Sequence, residues 1–228
     1  MERTEMQFVR AFGRLLLPRG FLLWNGGFYR IDAEEGLIWV VALDRPDDAL
    51  CTVSYDVKAF CHGLNEAALR GGMYRVLGLR ARYGAELRRM SEPEADAAVF
   101  RKLLLERFTQ IGGLADLQAF RRWHYGLIGG TPGGENWLPL EAWECVQLGD
   151  CLRGAQLMRQ AYDRWQDICR PYPELMDRPT VRAQGENYRA LVELFVGGEA
   201  GMLQRRLEEN VEASRAAIRS YFQRDDIV

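Results

Sequence analysis

Apolar and polar positions first follow a helical spacing and then alternate in short runs. Thr4 and Gln7 have the spacing of a capping box that opens a helix. The residues after it form one apolar stripe at helical spacing: Phe8, Phe12, Leu15 and Leu16. Pro18 and Gly20 predict the end of this helix. Four strands are predicted next, because four apolar runs are bounded by turn residues. These runs are Phe21–Trp24, Phe28–Ile31, Leu37–Leu43 and Leu50–Val57.

The order of residues within these runs predicts an antiparallel sheet. Asn25-Gly26-Gly27 is a strong hairpin-turn signal between the first two strands. Apolar and polar side chains alternate along Leu50–Val57, which predicts a strand with one buried face and one polar face. The continuous apolar run Ile38–Val41 is typical of a central strand that is covered on both faces.

The segment from residue 59 to residue 90 has a weaker pattern. We expect a short helix over Asn65–Arg70 and a fifth strand over Met73–Tyr83. Arg80 and Arg82 would then lie on the same face of that strand, because side chains alternate along a strand.

From Ser91 onward the chain has helical patterning. Ser91 and Glu94 form a second capping box, and the glycine-rich stretch Gly126–Gly134 predicts a loop between helices. Several further helices are predicted as far as Gln223. Strands followed by helices are typical of an α+β fold, here with a four- to five-stranded sheet and an all-helical C-terminal half. We therefore divide the chain into a sheet domain (1–90) and a helical region (91–228) that packs on it as one compact unit.

Two motifs in the N-terminal part resemble those of a known family. Arg19-Gly20-Phe21 followed by Gly27-Phe28-Tyr29-Arg30 is similar to the pattern "GFkk-g-x-fyR", and Leu79–Leu87 is similar to "lR-x-RlG-x-l". These patterns are typical of a bacterial domain family of unknown function. The family's tryptophan-containing segment has no match, since Ser91-Glu92-Pro93 begins a helix instead. The resemblance implies an antiparallel α+β domain without assigned catalytic residues, in the style of toxin-immunity proteins.

Composition narrows the range of functions. The 228 residues are 48% hydrophobic and 27% charged, which is typical of a folded globular protein. Lys and Arg total 30 against 32 Asp and Glu, and this balance argues against a dedicated nucleic-acid binder. The longest apolar run, Leu37–Leu43, has strand length, far below the roughly 20 residues of a membrane span. No membrane association is therefore expected.

The cysteines and histidines indicate no metal site or disulfide framework. The five cysteines are odd in number, form no CxxC motif and are joined by only two histidines. We expect reduced thiols and a cytoplasmic protein. Cys61 and His62 are neighbours and His124 lies on an apolar helical face, so structural roles are predicted for all three. For His124 this means a hydrogen-bonded core histidine.

No catalytic motif is present. The chain lacks a P-loop, a G-x-S-x-G elbow and an H-E-x-x-H helix, so we predict no catalytic residue, no metal and no cofactor. Asp32, Asp44 and Asp56 lie near predicted strand ends or edges. A cleft between the sheet and the helices would use such residues, and a small-molecule enzyme is kept as an alternative.

The segment Arg70–Arg89 has the most distinctive surface chemistry. It contains six arginines against one glutamate, with tyrosines between them. We predict a partner-binding surface formed by Arg75, Arg80, Arg82, Tyr74 and Tyr83, because arginine forks recognise carboxylates and phosphates. The predicted function is a non-catalytic protein-interaction module, an immunity or accessory protein of a bacterial toxin system. RNA binding through the same segment is a further alternative, and another protein is the favoured partner.

Overall fold

The computed structural model describes residues 3–47, 50–84, 90–128, 137–198 and 200–228. The described residues contain five strands in one antiparallel sheet, whose order along the sheet equals their order along the chain. The strands are β1 (Leu22–Trp24), β2 (Gly27–Asp32), β3 (Leu37–Asp47), β4 (Leu50–Ala59) and β5 (Tyr74–Arg75).

Helices precede and follow this sheet. The N-terminal helix and the two helices near β5 are α1 (Arg3–Leu16), α2 (Glu66–Leu69) and α3 (Val76–Tyr83). The remaining helices are α4 (Glu92–Leu103), α5 (Leu105–Thr109), α6 (Leu114–Ile128), α7 (Leu138–Gln147), α8 (Cys151–Cys169), α9 (Pro179–Gly197) and α10 (Ala200–Phe222). The chain is thus α+β with a helical C-terminal half, as the pattern predicted. None of the described helices has the length and apolar character needed to cross a membrane.

The first hairpin follows from its turn residues. Asn25 and Gly26 both have positive φ, which is the conformation that an Asn-Gly pair adopts at low cost. β1 therefore pairs with β2 directly, with Leu22 opposite Tyr29 and Trp24 opposite Gly27. Pro18 and the left-handed Gly20 end the preceding helical segment, in agreement with the pattern.

The two faces of the sheet are covered by different sets of helices, with α10 contributing to both hydrophobic clusters. Trp39, Tyr55 and Val57 on the first face pack in one hydrophobic cluster with residues of α1 and α4–α9. Ile38 and Val40 on the second face pack in a separate cluster, mainly with side chains of the α2 region and the C-terminal end of α10, including Leu69, Ile218 and Phe222. The central strand β3 is therefore buried on both faces, as its apolar run predicted.

The prediction that β4 has a single buried face is wrong. Thr52, Ser54 and Asp56 are at most 5% exposed. Ser54 and Asp56 lie opposite Ala42 and Val40, on the face that α10 and the α2 region cover. Backbone N–H groups of the following loop satisfy them, since Gly72 donates to the Ser54 hydroxyl at 3.1 Å and Met73 to the Asp56 carboxylate at 3.3 Å.

The predicted strand over Met73–Tyr83 is also wrong for most of its length. Only Tyr74 and Arg75 pair with β4, and α3 begins at Val76. Burial of Val76 and Leu79, three residues apart, fits one face of a helix. The neighbouring prediction of a short helix is confirmed, because α2 begins after Asn65, whose side chain accepts from the Ala68 N–H.

Two predicted connections fall partly outside the described residues. β3 continues to Asp47, beyond its predicted end at Leu43, while β4 begins at Leu50 as predicted. Residues 48 and 49, between the two strands, lie outside the described residues. The same holds for residues 129–136, which include most of the predicted glycine-rich loop.

Candidate functional site

Arg80 of the predicted partner surface is held by acids of the same chain. It lies on α3, and its guanidinium forms ion pairs with Glu92 at 3.3 Å and Asp96 at 3.4 Å. Asp96 is almost fully buried, and this burial raises the pKa of its carboxyl to about 6. Arg80 therefore ties α3 to α4. Arg82 does not share its face, because positions two apart on a helix point in different directions.

The other four residues of that surface also make contacts within the chain. Arg82 and the Tyr83 hydroxyl donate to the Leu127 carbonyl at 3.2 and 3.0 Å. Arg75 pairs with Asp44 and donates to the Gly72 carbonyl at 2.6 Å. Tyr74 is 8% exposed. These contacts engage the segment in intramolecular packing; Glu86, Arg88 and Arg89 lie outside the described residues.

A buried polar cluster lies where β4 runs into the short helical turn at Phe60–His62. Arg121 of α6 pairs with Glu144 of α7 in the core, and the His62 Nε2 lies 2.9 Å from the same Glu144 oxygen. The His62 Nδ1 accepts from the Ala59 N–H at 3.4 Å, so its proton is on Nε2 and is donated to Glu144. The cluster therefore joins the sheet to α6 and α7.

Opposed effects set the charges of this cluster. Burial alone raises the pKa of Glu144, but Arg121 and His62 outweigh it and bring that pKa below its usual value. Burial lowers the pKa of His62, and Glu144 only partly opposes the shift. Arg121 and Glu144 are thus a charged pair with a neutral His62 beside them. Such a pair is strongly destabilising to break, since one partner would be left buried and charged.

His124 lies on the first face of the sheet among aromatic rings. It is fully buried, its Nε2 is hydrogen-bonded to the Tyr55 hydroxyl, and the Tyr74 ring centroid lies 4.3 Å away. Burial lowers its pKa to about 4. The prediction of a hydrogen-bonded core histidine is confirmed.

The three aspartates considered for a cleft do not converge. Asp32 and Asp44 lie near opposite ends of the β2–β3 pairing. Asp32 pairs with Leu37 at one end, and Asp44 lies two residues beyond Ala42, which pairs at the other end. Asp44 is paired with Arg75. Asp56 is buried 3.9 Å from the Lys58 ammonium. They therefore offer no pair of carboxylates for general acid–base chemistry.

The Cys61–His62 pair does not form a nucleophile with its base. Burial raises the pKa of the Cys61 thiol well above its usual value, which disfavours the reactive thiolate. His62 is directed at Glu144 instead. Among the described residues, no group of three or more His, Cys, Asp and Glu is placed to hold a metal ion.

An open groove of about 490 Å³ lies between α8 and α9, and we call it the α8–α9 groove. Its floor contains the Trp165 ring, which stacks on Tyr162 at 5.9 Å with an angle of 11°. Gly185 of α9 lies against that ring, and a Cβ added there would be 2.7 Å from the Trp165 Cζ2. The glycine thus permits the close approach of the two helices at this point.

The rim of the α8–α9 groove is cationic. Arg170, Arg182 and Arg189 line it with one acid, Glu186, which leaves a net charge of +2 by count (three minus one). Arg170 also pairs with the exposed Asp167 at 2.8 Å. Met176, 38% exposed, adds an apolar side chain from the turn after α8. The groove combines an aromatic floor with guanidinium groups along its edge.

Sequence reasoning missed the groove. Tyr162, Trp165 and Cys169 lie on α8, Arg170 directly follows it, and Arg182 and Arg189 lie on α9. Only the pairing of the two helices brings them together. The available signal was Gly185, a glycine in the interior of a helix, which marks a close contact.

Comparison of the chain with protein-family models, with curated proteins and with solved structures finds no match. The resemblance of residues 1–90 to a bacterial domain family therefore stays a prediction.

Proposed function

We propose that this protein is a non-catalytic protein-interaction module and that its α8–α9 groove receives an acidic segment of a partner protein. The observation that carries the proposal is the composition of the groove. Trp, Tyr and Arg are the residue types that contribute most binding energy at protein interfaces. Here Trp165, Tyr162 and three arginines line one concave surface.

The chemistry of the groove defines the partner segment. Its net positive rim matches Asp or Glu side chains, and its aromatic and thioether floor matches one apolar side chain between them. Ile168 and Tyr172, which neighbour the lining residues Cys169 and Pro173 in the chain, are apolar side chains that are 39% and 55% exposed. A toxin carrying such a segment would fit the immunity or accessory role predicted from the sequence.

The rest of the polar chemistry supports binding over catalysis. Tyr74, Arg75 and Arg80 are engaged within the chain, and the Arg121–Glu144 pair is buried. The buried free thiols, which include Cys61 and Cys145, support the cytoplasmic location that forms part of the proposal.

Labelled peptides test this function. A short peptide alternating Glu with Leu is titrated by fluorescence anisotropy, beside a Glu–Ser peptide and a Lys–Leu peptide of equal length. We expect saturable binding of the Glu–Leu peptide only. Changing Arg182→Gln together with Arg189→Gln should weaken it about tenfold, since two exposed ion pairs at about 0.7 kcal/mol each amount to about 1.4 kcal/mol.

The matched control is Arg159→Gln with Arg164→Gln. Both residues are exposed on α8 outside the groove, so the change in net charge is identical. Equal weakening in the two double variants would show that only net charge matters and would overturn the groove assignment. Equal binding of the Glu–Ser peptide would show that the aromatic floor is not used.

A further inference from the structure

A second groove, of about 430 Å³, lies between α1 and α4, and we call it the arginine groove. Arg10 and Arg14 line one wall from α1, and Arg101 lines the other from α4. Ala97 and Ala98 of α4 also line the groove. Beneath the groove the two helices are joined by the buried Phe12 and Phe100 rings, whose centroids are 5.6 Å apart.

The charges of the arginine groove are not balanced by acids of the described residues. Glu94 is the one acid among its described lining residues, and its carboxylate accepts from the Ser91 N–H at 3.3 Å and the Ser91 hydroxyl at 2.8 Å. Within the described part of the chain, no acid forms an ion pair with Arg10, Arg14 or Arg101. Arg10 and Arg14 are four residues apart on one helix, where like charges repel.

Three exposed arginines elsewhere on the protein form ion pairs along their own helices or at a helix end. Ion pairs with an acid three residues away hold Arg170 at 2.8 Å, Arg206 at 3.0 Å and Arg215 at 2.8 Å. The arginine groove places around one concavity three guanidinium groups that have no ion-pair partner among the described residues. Their mutual repulsion is relieved when an anion occupies the space between them.

We propose that the arginine groove binds an oligophosphate group, from either an inorganic oligophosphate or a nucleotide. Guanidinium forks bind phosphate oxygens in pairs, and three of them suit a chain of two or three phosphates. The methyl groups of Ala97 and Ala98 leave room for the ligand between the walls. This groove lacks the aromatic floor of the α8–α9 groove, so it favours a compact anion over a peptide.

Isothermal titration calorimetry with sodium triphosphate at low salt tests the proposal on the full chain. We expect one saturable site, whose affinity falls at least tenfold in the Arg10→Gln plus Arg14→Gln variant and in Arg101→Gln. The Arg159→Gln plus Arg164→Gln variant should bind as the wild type does. Binding should also weaken as salt is added, because exposed charges are screened.

Parallel titrations identify the source of the phosphate group. Tighter binding of adenosine triphosphate than of triphosphate supports a nucleotide ligand, and equal binding supports an inorganic one; adenosine alone should not bind. Both Arg-to-Gln variants of the groove should fold, since Gln and Arg have similar helix propensities and the positions are exposed. Their melting temperature without ligand should equal or exceed that of the wild type.

The proposal is overturned if triphosphate does not bind the wild type, or if all variants bind it equally. These results are independent of the peptide titrations, because the two grooves share no residue.

Discussion

The buried His124 should make the protein less stable as pH falls from neutral. Its pKa is lowered by burial from the ordinary 6.5 to about 4 in the folded protein. Between pH 6.5 and about pH 4, His124 takes up a proton in the unfolded chain but not in the folded protein. The stabilisation is therefore fully present above pH 6.5 and is lost as pH falls toward about 4. The whole shift corresponds to about 3 kcal/mol, and about 2 kcal/mol of it is lost between about pH 7.5 and about pH 5.

The ionisation of Asp96 changes the stability of the protein in the opposite direction over an overlapping pH range. Its pKa is raised from 3.8 to about 6, so its contribution is present at low pH and is lost as pH rises through about 6. The wild-type curve alone is therefore ambiguous. The variant His124→Gln removes the histidine and leaves Asp96 in place, so its difference from the wild type isolates the effect of His124. The variant Asp96→Asn is the control, because it should change the pH dependence of stability in the opposite direction.

Urea unfolding at the two pH values measures the effect. We expect the wild type to lose about 2 kcal/mol more than His124→Gln on acidification, and Asp96→Asn to lose more than the wild type. Proton NMR gives a direct check, because His62 and His124 are the only histidines. A His124 resonance that titrates near 6.5, or equal acid losses in wild type and His124→Gln, would refute the reasoning.

Three further substitutions test the packing. Gly185→Ala forces a methyl group against Trp165 and should destabilise the protein by about 1–3 kcal/mol, as measured by urea unfolding. An unchanged unfolding midpoint would contradict the close approach of α8 and α9. Glu144→Ala leaves Arg121 buried without its partner and should cost about 3–5 kcal/mol, whereas a loss below about 1 kcal/mol would mean that water reaches the pair. Phe222→Ala removes a buried ring from the second face of the sheet and should cost about 3–5 kcal/mol by thermal unfolding, with Gln223→Ala, exposed and next in the chain, as its control.

The correctly predicted helices and strands are those whose sequence signals lie in adjacent residues. The Asn25-Gly26 turn and the apolar run of β3 identified the hairpin and the central strand, because backbone conformation and continuous burial are visible in adjacent residues. The Ser91–Glu94 capping box identified the start of α4 for the same reason, since both partners lie within one helical turn. The buried His124 followed from its position on an apolar helical stripe.

The errors lie where distant chain segments decide the outcome. Val76–Tyr83 is too short for a clear period, and its packing against α4 and β4 favours the helix. Only one side of β4 was expected to be buried, but its polar side lies on the sheet face that the last helix helps to cover. No residue near Ser54 in sequence indicates that α10, from the other end of the chain, packs on that face.

The sequence by itself determined the α+β class, the hairpin, the central strand and the start of α4. Tertiary structure alone decided that the polar side of β4 is buried and that Arg80 is held by Asp96. It also decided where the two grooves lie, since each is built from two helices. The physical reason is the separation along the chain over which each interaction acts. Caps, turns and periodicity depend on residues a few positions apart, whereas the surroundings of a side chain are set by segments that meet only when the chain folds.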